Sequence, residues 1–173
     1  PGPGVMNAAA ALSTAYACNS SVLCLTGQIR SDMIGIGRGL LHEIPDQLAI
    51  MRGLTKWAER ATDAQDTADK AREAFRQLLN GGPRPVALEC PMNVWRKSGS
   101  VAFDGSKVQR TLPALDQDAL TAAAKLLGNA KKPLIIVGGG AQEASAEVRA
   151  MAEALQAPVV GYRSGDGGLD ARH

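Results

Sequence analysis

Residues 2–28 read GPGVMNAAAALSTAYACNSSVLCLTGQ, and the order of their parts decides the fold. A Gly-Pro-Gly corner precedes an Ala-rich stretch, Asn7 to Ala17, whose side chains favour helix. Ser21 to Thr26 is then a largely apolar run of strand length, closed by Gly27. Turn, helix and buried strand in that order make half of an α/β unit.

The pattern continues outward from there. Gly35, Gly37, Gly39 and Pro45 break any long element between residues 28 and 62, leaving a short helix near Asp46 to Met51 and a short strand around Trp57. Asp63 or Asp66 caps a helix in which Ala68, Ala71, Phe75, Leu78 and Leu79 share one face, before Asn80-Gly81-Gly82 stops it. Pro85 to Cys90, PVALEC, reads as another buried strand. Residues 92–113 carry Gly99, Gly105 and scattered charges without periodicity, the signature of a linker. After it the alternation restarts with a helix over 118–127, the strand PLIIVGGG, a helix over 145–155 with Val148, Met151, Ala152 and Leu155 on one face, and the strand PVVGY. The expected fold is α/β, with parallel doubly wound sheets in two incomplete Rossmann-like units joined by a linker. The boundaries fall at residues 1–95, 96–115 and 116–173.

Composition narrows the function classes. The 173 residues hold 19 Lys and Arg against 17 Asp and Glu with no block of like charge, so no nucleic-acid partner is expected. No run approaches the about 18 apolar residues of a membrane span and no signal peptide is recognisable, which points to a cytoplasmic protein without a membrane partner. Cys18, Cys24 and Cys90 form no C-x-x-C and lie among apolar residues, so they read as buried reduced thiols.

Several motifs invite chemistry and fail on spacing. VGGGAQEA follows a strand, as a dinucleotide-binding turn would, but the third glycine of G-x-G-x-x-G falls on Glu143 and PVVGY ends in Tyr162 and Arg163 without an acidic residue. His42-Glu43 lacks the second histidine of a zinc helix, that position being Asp46. His173 is the only other histidine, and no nucleophile, base and orienting acid assemble from the sequence. Gly165-Asp166-Gly167 suits a turn, because the asparagine that a magnesium and diphosphate motif needs some two dozen residues later is not in this sequence.

Taken in order, GPGVMNAAAALSTAYACNSSVLCLTGQ, GLLHEIPDQ, GGPRPVALECPMNVW and AKKPLIIVGGGAQ with LQAPVV resemble the acetolactate synthase-like family of thiamine diphosphate-dependent enzymes, over nearly the whole chain. The resemblance implies three α/β domains, of which residues 1–95 match the C-terminal part of the pyrimidine-binding domain and residues 116–173 the N-terminal part of the central domain. It implies decarboxylation or carboligation of a 2-oxo acid, with Mg2+ bound outside this chain and the activating glutamate upstream of the corner. The segment alone is then expected to be inactive, and the parent protein to be a homodimer or homotetramer.

By the same resemblance Gly2, Pro3, Gly4 and Asn7 line the cofactor, with the bare Pro3-Gly4 backbone lying against a flat ring where a Cβ would collide. A Gly-Pro corner is also an ordinary helix start, and both readings stand. Many acetolactate synthases carry Phe-Gln-Glu where this chain has Leu41-His42-Glu43, which puts His42 on the substrate side. His42 is then either a proton shuttle or a loop histidine. Glu43 reads as a structural hydrogen-bond or ion-pair partner. A central domain of this family sometimes holds FAD or ADP, and Gly138 to Gly140 would be the contact.

Overall fold

The strand that the rest of the first unit is built around is β3, Val86–Pro91, in which all six positions are buried. A strand covered on both faces and flanked on both edges has no solvated side, which is why PVALEC reads as an almost continuous apolar run. Its neighbours are β1, Leu23–Gln28, and β2, Trp57–Arg60, in the order β1-β3-β2. Both pairings are parallel: Leu23 lies opposite Val86 and Gln28 opposite Pro91 on one side, Trp57 opposite Val86 and Arg60 opposite Glu89 on the other. The computed structural model describes residues 1–165.

Side chains alternate along β3, and helices cover both faces. On one face Ala87 packs with Ala58, with Val5 and Leu12 of α1 (Pro3–Ala17), and with Leu48 and Met51 of α2 (Gln47–Leu54). On the other face Leu88 and Cys90 pack with Ala61, Val94 and, partly buried, Ala71 of α3 (Ala64–Leu79). Met51 is fully buried; side chains of this size contribute about 1.5–3 kcal/mol each when removed from water.

Several expectations need correction. Helix α1 begins at Pro3, so Pro3 and Gly4 are its first turn and not a corner ahead of it; Gly2 is the N-cap. Phe75 is half exposed and Leu79 41% exposed, and Ala74 is the buried residue of α3 instead. Cys18 caps the end of α1 and is exposed, Cys24 is half-buried, and only Cys90 is buried; all three are free. Burial pushes the Cys24 and Cys90 thiols up, away from reactivity. Residues 96–112 are irregular but tied to α3, after the one-turn helix α4, Met92–Trp95. The Ala102 amide donates to Gln65 (2.8 Å), Arg72 to the Ser106 carbonyl (2.9 Å), and the Thr111 amide to Asn80 (2.7 Å).

The chain divides into compact units at Leu112 and Pro113. The second unit pairs β4, Ile135–Val137, in parallel with β5, Val159–Gly161, with Ile135 opposite Val159. Helix α6, Ser145–Leu155, buries Val148 and Ala152, whereas Met151 is exposed; helix α5, Gln117–Gly128, buries no residue. The glycine turn after β4 becomes a 3-10 helix, Gly139–Ala144. Asp166, Gly167 and His173, weighed above, lie outside the described residues.

Candidate functional site at the carboxyl end of the sheet

The amino-terminal corner sits at the carboxyl end of β1, where ligands of open α/β sheets bind. A Cβ on Gly27 would lie 3.5 Å from the Pro1 ring. Gly2 is buried with φ +55°, and its amide donates to Gln47 Oε1 at 2.7 Å. A Cβ at Gly2 would come 2.5 Å from the His42 carbonyl oxygen. The residue must therefore be glycine both for its left-handed backbone and for the close approach. Within the protein the steric demand falls on Gly2, against the His42 backbone. Gly4 faces open space, with nothing within 4 Å of where a Cβ would be.

Pro3, Gly4 and Asn7 are exposed at the start of α1. Pro3 and Asn7, four apart, share one side of the helix, with Gly4 three residues before Asn7. Among the described residues the Asn7 side-chain amide has no hydrogen-bond partner. Proline at the first helical position leaves no amide hydrogen unsatisfied there.

His42 reaches the corner through its backbone. It lies in a loop where Gly35, Gly37 and Gly39 all take positive φ, as does His42 itself at +70°. The Glu43 carboxylate organises this loop, accepting the Leu40 amide at 2.8 Å and the Gly37 amide at 3.1 Å. Those amides, Leu40 foremost, hold the Glu43 carboxyl below the usual glutamate range against an opposing effect of desolvation. Glu43 is thus a hydrogen-bond partner of the loop, as its place in the sequence suggested. The structure brings Gly2 and His42 together and leaves the His42 side chain exposed.

Beneath the corner lies a polar cluster that the sequence reading missed. Glu89 is 1% exposed, on the α2 side of β3, and accepts from Arg60 Nε, from Gln47 Nε2 at 2.8 Å and from Gln28 Nε2 at 3.5 Å. Gln28 Oε1 accepts the Ile29 amide at 2.7 Å, and Gln47 Nε2 also donates to the Gly27 carbonyl at 2.9 Å. No buried side-chain N or O among the described residues lacks a partner. The available signal was Glu89 itself: a carboxylate inside an apolar strand must find a partner, since an unpaired buried charge is too costly to keep.

Comparison with known proteins agrees with this architecture. The family model described as "Thiamine pyrophosphate enzyme, central domain" matches residues 120–173. The chain is 33% identical over 169 residues, 96% of its length, to a probable 2-ketoarginine decarboxylase of Pseudomonas aeruginosa, of which it covers 30%. It is 28% identical over 158 residues to the acetolactate synthase isozyme 1 large subunit of Escherichia coli, covering 91% of this chain and 28% of that one. A solved thiamine diphosphate-dependent 4-hydroxybenzoylformate decarboxylase of Rhodococcus jostii shares the fold, with a TM-score of 0.79 at 24% identity, over 96% of this chain and 32% of the other. The chain is thus similar to thiamine diphosphate-dependent enzymes, acetolactate synthases among them. It spans about 30% of the length of the relatives it matches.

Proposed function

We propose that this chain contributes the pyrimidine side of the active site in a thiamine diphosphate- and Mg2+-dependent enzyme that decarboxylates or ligates a 2-oxo acid. Residues 1–95 then form the C-terminal part of the pyrimidine-binding domain, 96–115 the linker, and 116–173 the N-terminal part of the central domain. The parent protein is a cytoplasmic homodimer or homotetramer with its Mg2+ ligands outside this chain. The segment alone is inactive, because a positioned acid-base group contributes about 10^2 to 10^4 in rate.

One observation carries the reading. Gly2 locks the corner against the His42 loop and leaves Pro3, Gly4 and Asn7 as a bare, exposed face with no Cβ at Gly4. A flat heterocycle fits against such a face, and the unpartnered side-chain amide of Asn7 offers it a donor and an acceptor. When bound, the cofactor supplies the electron sink for breaking or forming the carbon-carbon bond beside the carbonyl. The protein's part is to hold Gly4 and Asn7 on the ring and to present His42 to the substrate from a loop fixed by Glu43.

The test is Gly4→Val in the full-length protein. Open space at this position leaves the helix intact by circular dichroism, while the isopropyl group covers the ring face and raises the Kd for thiamine diphosphate with Mg2+, read by calorimetry, at least about tenfold. Unchanged affinity would remove the corner from the site. The alternative is a non-catalytic nucleotide-binding module with FAD or ADP on Gly138–Gly140. It draws on the exposure of that turn, where a Cβ on Gly138 or Gly140 would also meet nothing, and flavin absorbance in the purified protein distinguishes it.

A further inference from the structure

Gln47 is fully buried, yet it occupies the first position of α2, just after the Asp46 cap whose carboxylate accepts the Ala49 amide at 2.9 Å. Its side-chain amide engages three separate parts of the chain. Oε1 accepts the Gly2 amide at 2.7 Å, and the two Nε2 hydrogens go to the Gly27 carbonyl at 2.9 Å and to Glu89 Oε2 at 2.8 Å. Those partners are the N-cap of α1, the end of β1 and the end of β3. Glu89 is in turn fixed by Arg60 from β2, so all three strands converge on this side chain.

A residue needed only to fill volume here could be Met or Leu, since a buried polar group is replaceable by an apolar one of similar size without loss of stability when its partners can be satisfied otherwise. An amide with both hydrogens and an oxygen committed specifies distances instead. We propose that Gln47 is a positioning residue, setting where the Gly2 corner stands above the strand ends and hence where Pro3, Gly4, Asn7 and the His42 backbone are presented. This rests on the functional reading above, and one segment both carries His42 and, five residues later, holds the corner that His42 touches.

The experiment compares Gln47→Met with Met51→Ala, a core truncation on the same helix, in the full-length protein. Two quantities are measured: the Kd for thiamine diphosphate with Mg2+ by calorimetry, and hydrogen exchange of the peptide spanning residues 1–6. Positioning predicts that Gln47→Met raises the Kd about tenfold or more and speeds exchange at the corner, whereas Met51→Ala lowers Tm at least as much and keeps the Kd within about twofold. Equal Kd shifts in the two variants, or none in Gln47→Met, overturn the proposal. Where Gln47→Met does not fold, Gln47→Asn, which keeps the amide but shortens its reach, is judged by the same two measurements. A wild-type protein without thiamine diphosphate affinity overturns the functional reading, and corner exchange unchanged in Gln47→Met overturns the clamp separately.

Discussion

Two glycines two residues apart have opposite reasons to be glycine. Gly2 is demanded by the fold, with a left-handed backbone and the His42 carbonyl where a Cβ would go; Gly4 is free of both constraints. Gly2→Ala is expected to lose about 2 kcal/mol or more, combining the left-handed penalty with a clash against backbone that cannot swing aside. Gly4→Ala is expected to be neutral or up to about 1 kcal/mol more stable, because alanine loses less entropy in a helix. Denaturant unfolding of the pair reads the contrast, and equal losses would show that both glycines serve folding alone. The sequence reading considered Pro3-Gly4 as a face toward a ligand or a helix start and did not foresee that Gly2 is required by a contact inside the protein. Nothing in GPG tells which glycine is the cap, because the deciding atom is a carbonyl forty residues away. Gln47 was missed for a related reason: a polar side chain right after an Asp cap resembles the solvated start of a helix, and only the tertiary fold turns it inward.

At the level of elements, apolar runs announced β1 and β3, breakers left room for a short helix near Asp46 to Met51, and of the two cap candidates for α3, Asp63 and Asp66, Asp63 is the cap, while Asp46 caps α2. The loop between residues 35 and 45 was legible only as breakers, yet it is an ordered element. Its order comes from a carboxylate folded back onto its own chain. Because Glu43 sits below its usual range in the folded loop, its tether is fully present above the ordinary glutamate range and is lost as pH falls through the lowered folded value. Hydrogen exchange of the Leu40 amide, corrected for intrinsic rates, is therefore expected to accelerate on acidification in the native protein. In Glu43→Gln it is expected to be fast throughout. A protected Leu40 amide in that variant would show that the three glycines order the loop without the carboxylate.

At the scale of the molecule the two units differ in how much core they own. The first buries thirteen apolar residues from Val5 to Val94, whereas in the second, among the described residues, the buried apolar set is Val137, Val148 and Ala152. Leu126, Leu134 and Ile136 remain more than half exposed. A core of three small side chains cannot offset the ordering entropy of some fifty residues at about 1–2 kcal/mol each. A piece consisting of residues 113–173 is expected to show no cooperative thermal transition by circular dichroism, in contrast to residues 1–112; a sharp transition would reveal a core not evident here. The strand order has a practical corollary. With β3 in the middle, β1 and β2 each leave a row of peptide groups without a neighbour among the described residues, and Leu25 of β1 is 62% exposed. Such open borders recruit other chains. Solubility, not melting temperature, will limit work with this segment by itself, and light scattering that climbs with protein concentration is the sign to look for.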